Sequence, residues 1–129
     1  YGDGVSNVDI RKSVDFHKKK NKLATLTAVK PPGRFGVIQI DENENIHQFN
    51  EKPKESWVNG GFFILEPEVI SRVEGDLTNW ETDVLPQLAI DGQLSAFRHT
   101  GFWHSMDTLR DRTNLEKIWS EGTAPWKLW

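Results

Sequence analysis

The sequence predicts an α/β fold, a mixed sheet with flanking helices, in one domain. Two observations predict it. Apolar patterns of period two and of helical spacing interleave along the chain. The interleaving is broken where two strand patterns follow each other across an acidic turn; that hairpin sets an antiparallel pair into the layout. A chain of 129 residues is long enough for one domain with a modest core, and it shows no internal repeat, linker or low-complexity segment.

The elements follow in order. Tyr1-Gly2-Asp3-Gly4 is turn-rich. Ser6 with Asp9 three residues on resembles a helix capping box, and Ile10, Val14 and His17 then keep helical spacing, with Phe16 alongside. Lys18, Lys19 and Lys20 close this helix where cations suit its dipole. Leu23 to Val29 alternates apolar residues with threonine and predicts a strand, ended by Pro31-Pro32-Gly33. Arg34-Phe35-Gly36 leads into a second strand, Val37 to Ile40. Asp41 to Asn45 is a turn, and Ile46 to Phe49 returns as the third strand. Phe62 to Leu65 is apolar and short, as in a buried strand. Pro67 stands at a first helical position, Val69, Ile70 and Val73 form an apolar face, and Gly75 is the stop. Trp80 to Asp83 reads as a turn. Val84, Leu85 and Leu88 continue as a helix to Gly92, with Pro86 in its first turn. Leu94 to Phe97 is a short strand. The last helix starts at Thr108, buries Leu115, Ile118 and Trp119, and ends at Gly122 before a Trp-rich tail.

Composition removes several classes of function. A net charge of −3 gives no general reason to bind nucleic acid or a membrane surface. No apolar run approaches the roughly 20 residues of a membrane helix. The absence of cysteine excludes disulfides, zinc–thiolate sites and a cysteine nucleophile, and fits a reducing, cytoplasmic setting. The histidines lack metal-ligand spacing, and there is no G-x-S-x-G elbow, Walker loop or G-x-G-x-x-G.

The densest special chemistry runs from Phe49 to Leu65. Glu51 and Lys52 place a carboxylate beside an ammonium, and Pro53 pushes Lys52 into an extended conformation. Asn59-Gly60-Gly61 follows, where two glycines let backbone approach a bound molecule or adopt dihedrals other residues avoid. A surface ion pair followed by an ordinary turn explains this stretch about equally well. Asp3 lies between two glycines, and Asp107 lies where a short apolar stretch gives way to the last helix. If the two converge beyond the strand ends, they suit Mg²⁺, which takes one or two carboxylates plus phosphate and water. Lys52 then offers a point charge to a phosphate. As a plain alternative, Asp107 is a helix N-cap and Asp3 a turn residue.

Taken together, Tyr1-Gly2-Asp3-Gly4-Val5, Glu51-Lys52-Pro53, Asn59-Gly60-Gly61 and Trp103-His104-Ser105-Met106-Asp107-Thr108 resemble, in order, the motifs of the sugar-1-phosphate nucleotidyltransferases. The motifs 31–36, 106–111 and 124–127 narrow the likeness to members that use CTP and glucose 1-phosphate. The resemblance covers essentially the whole chain. It implies the carboxy-terminal part of a nucleotide-diphospho-sugar transferase (Rossmann-like) fold, holding the sugar-phosphate and metal side without the triphosphate-gripping loop. Asp3 and Asp107 would hold Mg²⁺, Lys52 would bind the sugar phosphate, Glu51 and Asn59 would bond glucose hydroxyls, and Gly36 and Gly60 would let backbone approach the ring. It further implies a homo-oligomer for the full-length enzyme, inactivity of the 129 residues alone, and a sheet surface left open in them. The competing expectation is a non-catalytic carbohydrate-binding module that uses some of the six tryptophans as sugar platforms.

Overall fold

The computed structural model describes residues 1–31, 36–51 and 57–129, and residues 36–40 and 46–51 by their backbone alone. The order is β1 (Gly4–Ser6), α1 (Ile10–Lys20), β2 (Ala24–Val29), β3 (Gly36–Ile40), β4 (Ile46–Glu51), β5 (Val58–Leu65), a 3₁₀ helix (Pro67–Arg72), a π-helical turn (Trp80–Val84), α2 (Leu85–Ile90), β6 (Leu94–His99), β7 (Trp103–Ser105) and α3 (Leu109–Ser120).

A three-stranded sheet, β5-β2-β6, forms the frame. β2 runs antiparallel to β5 and parallel to β6, so the sheet is mixed, as the interleaved pattern predicts. β2 is buried along nearly its whole length, which fits a central strand covered on both faces. The core sits where Ala24 meets Val69, Val84 and Leu88, with Leu23, Trp80, Leu85 and Leu94 packed against it. Each large apolar side chain in such a cluster contributes about 1.5–3 kcal/mol by leaving water. β3 and β4 pair antiparallel, the predicted hairpin. Asp41 shapes its turn: one carboxylate oxygen accepts from the Asn43 and Asn45 N–H groups at 2.9 and 2.8 Å.

His17 ties three elements together. It is buried on α1, with Nδ1 2.8 Å from the Thr25 hydroxyl of β2 and Nε2 2.9 Å from the Glu66 carboxylate after β5. In the neutral ring Nε2–H donates to Glu66 and Nδ1 accepts from Thr25.

Several boundaries differ from the sequence expectation, each for a local reason. The cap of α1 is Asp9, which accepts from the Lys12 N–H at 3.0 Å. Ser6 instead donates its hydroxyl to the Phe102 carbonyl at 2.7 Å. The 67–72 segment is 3₁₀, whose period of three puts Ile70 and Val73 on one ridge; both are exposed, and Val69 alone is buried. Residues 80–84 are helical: the Asn79 side chain accepts from the Glu81 and Thr82 N–H groups and starts a turn that runs into α2. In α3 Leu115 is buried and Ile118 half-buried, but Trp119 is 48% exposed. Its ring stacks on Trp126, which stacks on Phe102, so the tail packs under the approach to β7. The largest omission is β1 and β7. Three-residue strands made of Gly-Val-Ser and Trp-His-Ser carry no apolar alternation to announce them.

Candidate functional site

β1 and β7 form a separate antiparallel ribbon in which Gly4 faces Ser105, Val5 faces His104 and Ser6 faces Trp103. One more bond extends it: the Met106 N–H donates to the Asp3 carbonyl at 2.7 Å. The ribbon therefore ends with Asp3 on one chain segment and Asp107 just past Met106 on the other. Both aspartates are exposed, and both line one cavity of about 320 Å³.

The opposite wall comes from β5. Its register with β2 shifts between Leu26 and Ala28, leaving Gly60, Gly61 and Phe62 opposite the single residue Thr27. This bulge needs its glycines. A Cβ at Gly60 would stand 2.9 Å from the Thr27 carbonyl oxygen, and Gly61 holds φ +80°. The Trp103 indole N–H donates to the Gly60 carbonyl at 2.9 Å, lashing the ribbon to the sheet across the cavity floor.

Asn59 is held by two bonds. Its Oδ1 accepts from the Gly61 N–H at 2.9 Å, and its Nδ2 donates to the Tyr1 hydroxyl at 2.9 Å. The Tyr1 hydroxyl donates in turn to the Glu81 carboxylate. Desolvation, then the hydrogen bond to Glu81 and its charge, push the Tyr1 hydroxyl up to about 12, so it stays a donor. The Tyr1 ring leans on Phe63, and Phe63 meets Trp80 edge-on. Asp107 is held from two directions. Its Oδ2 accepts from the Ser105 hydroxyl at 2.7 Å, and its N–H points to the buried Asp111 carboxylate at 3.3 Å.

The structure thus brings Asp3, Asn59, Gly60 and Asp107 to one cavity. Gly36 and Glu51 are register partners at the open end of the β3–β4 pair. Lys52 and Pro53, like 32–35, lie outside the described residues. Asp107 is not the cap of α3. Thr108 caps it, in a complete box with Asp111, which frees the Asp107 side chain for the cavity. Gly61, of the predicted glycine pair, lines the cavity as well, and so do Tyr1, Trp103 and Ser105, which were given no role from sequence. A signal for them existed: residues 103, 105 and 107, and residues 1 and 3, alternate as one face of extended chain.

No group of three or more His, Cys, Asp or Glu gathers among the described residues. Two carboxylates with open space between the walls nonetheless fit Mg²⁺, a hard ion that keeps several sites for phosphate and water.

The sequence profile of the nucleotidyl transferase family matches residues 1–116. The chain belongs to this family. It is 52% identical over its whole length to glucose-1-phosphate cytidylyltransferase of Salmonella typhi, and spans 51% of that relative. It is 33% identical over 114 residues to the mannose-1-phosphate guanylyltransferase catalytic subunit beta of Drosophila melanogaster, with 84% of the chain and 31% of the relative covered. Among solved structures, HddC from Yersinia pseudotuberculosis superposes with a TM-score of 0.59 at 23% identity, over 91% of this chain and 52% of that one; at such identity the likeness shows the fold. Among the described residues no helix is long and apolar enough to cross a membrane.

Proposed function

We propose that the protein containing this chain transfers a cytidylyl group from CTP to glucose 1-phosphate. A phosphate oxygen of the sugar phosphate forms a bond to the α-phosphorus of CTP, the bond to the β,γ-diphosphate breaks, and CDP-glucose and pyrophosphate result. The 129 residues contribute the sugar-phosphate and metal side of the site. The observation that carries this is the meeting of Asp3 and Asp107, about a hundred residues apart in sequence, on one cavity with Asn59 and the Gly60–Gly61 bulge. Identity of 52% to a glucose-1-phosphate cytidylyltransferase supports the choice of substrates.

Catalysis in this site is alignment and charge neutralisation, without a covalent enzyme intermediate. Asp3 and Asp107 hold Mg²⁺, which supplies neutralisation of phosphate charge when bound. Lys52 contacts the sugar phosphate as a point charge. Asn59, fixed by Tyr1 and the Gly61 N–H, presents its remaining hydrogen-bonding capacity to sugar hydroxyls, and Glu51 accepts from others. Gly36 and Gly60 let backbone approach the ring. A homo-oligomer in a cytoplasmic setting completes the proposal.

The test is pyrophosphate release by the full-length protein with glucose 1-phosphate, Mg²⁺ and each nucleoside triphosphate in turn. CTP is expected to be preferred by at least about tenfold, a difference of about 1.4 kcal/mol in transition-state binding. Release that is equal with all triphosphates, or that needs no sugar phosphate, rejects the assignment.

A further inference from the structure

The surroundings of Asp107 hold more than its role requires. Asp111 is 5% exposed, and its Oδ2 receives the Thr108 N–H at 3.0 Å, the Thr108 hydroxyl at 2.8 Å and the Asp107 N–H at 3.3 Å. A capping box needs the bond to the backbone of the cap residue, Thr108. The bond to the Asp107 N–H is additional, and it reaches outside the helix. On the other flank, the Met106 N–H is fixed by the Asp3 carbonyl at 2.7 Å. The Asp107 backbone is therefore pinned on one side to the segment carrying Asp3 and on the other to a buried anchor. The side chain is pinned as well: the Ser105 hydroxyl donates to Oδ2 at 2.7 Å, and Oδ1 makes no hydrogen bond among the described residues.

We propose that Ser105 and Asp111 are positioning residues for Asp107, together presenting its free carboxylate oxygen to the cavity at a fixed place relative to Asp3. The proposal rests on Asp107 being a metal ligand. The physical reason is general. A carboxylate that turns freely must be immobilised when it binds an ion, whereas one already held by a hydroxyl and a backbone anchor is oriented beforehand. Asp111 does this without touching the cavity. Its Oδ2 accepts from Thr108 and Asp107, and His104 Nε2 stands 3.9 Å from its other oxygen, so the anchor joins β7 to the start of α3.

The experiment measures Mn²⁺ binding to the full-length protein by electron paramagnetic resonance, with and without glucose 1-phosphate, alongside thermal melts. Ser105→Ala and Asp111→Ala are each expected to weaken Mn²⁺ binding about tenfold. Asp111→Asn keeps an acceptor oxygen facing the two N–H groups, and is expected to recover binding to within about threefold of wild type. Leu115→Val loosens α3 without touching the clamp and is expected to lower the melting temperature with Mn²⁺ affinity unchanged. Should Asp111→Ala fail to fold, Ser105→Ala and Asp111→Asn still decide. Wild-type affinity in Ser105→Ala overturns the proposal, and so does an equal loss in Leu115→Val, since the effect would then be general loosening. Asp107→Asn separates the two levels. If it abolishes Mn²⁺ binding while Ser105→Ala does not weaken it, positioning alone is wrong. If Asp107→Asn binds like wild type, the metal assignment fails and positioning falls with it.

Discussion

The β5-β2-β6 sheet and the β1–β7 ribbon are built on opposite terms. The sheet is longer and is centred on a buried strand: Ala24, Val29, Val69, Val84 and Leu88 are each no more than 2% exposed on or against it. The ribbon has two three-residue strands, none of whose residues is fully buried. Most of the buried core lies with the first, the second ends in two of the proposed site's residues, and a bond from Trp103 to the Gly60 carbonyl joins them. The division teaches that this site is a thin layer laid on a frame, so damage to either should be separable by measurement.

Leu88→Ala strikes the frame hardest. A fully buried leucine leaves a cavity on truncation, at a cost of about 2–5 kcal/mol. Chemical denaturation should show this loss while kcat/KM per folded molecule holds. Asp107→Asn should do the converse: a fall on the order of a hundredfold in kcat/KM, about 2.7 kcal/mol, with the melting temperature nearly unchanged. An Asp107→Asn protein that loses stability instead of activity would erase the division. Lys52→Ala should lower efficiency with glucose 1-phosphate about ten- to a hundredfold, as expected for a lost bond to a charged group, and Lys52→Arg should recover only part.

Gly60→Ala sits on the junction and should be the one change that costs both. Its Cβ would meet the Thr27 backbone at 2.9 Å, so β5 must shift, at about 1–3 kcal/mol of stability and with a displaced Trp103. A variant with normal melts and normal kinetics would mean that the bulge yields without strain. The smallest effect belongs to the frame's surface. The Arg72 guanidinium, followed by the Gln87 amide, lowers the Asp91 carboxyl below its ordinary value. A carboxyl lowered in the folded state adds stability that is full above the ordinary carboxylate range and fades as pH falls through the folded value. Urea melts of wild type and Asp91→Asn should differ slightly at about pH 7 and converge as pH falls below the ordinary carboxylate range.

The same division decided what could be read from sequence. β2, α2 and α3 announce themselves because burying a face requires periodicity, and periodicity is visible. The ribbon is held by hydrogen bonds between segments about a hundred residues apart, which leave no local pattern. Asp3, Asn59, Gly60 and Asp107 were identifiable because charge between glycines, paired glycines and motif order are local. Ser105 had only its alternation with Trp103 and Asp107 to mark it, and Asp111 had nothing, because the role proposed for it lies in what it touches. Ile70 and Trp119 misled for the reverse reason: apolar character suggested burial, and a change of helix period or a stacking partner on one face removed the need.

The pairing of Gly4 with Ser105 also bears on the order in which the molecule assembles. Closing a loop of about a hundred residues costs about 4 kcal/mol of chain entropy. A ribbon of three-residue strands returns about 1 kcal/mol per hydrogen bond, offset by about 1–2 kcal/mol for each residue it orders, and cannot hold that loop shut alone. Closure must await a standing sheet, when Trp103 finds the Gly60 carbonyl. Until then Asp3 and Asp107 move independently, and the proposed metal site does not exist. On the proposed assignment, competence for metal arrives with this closure.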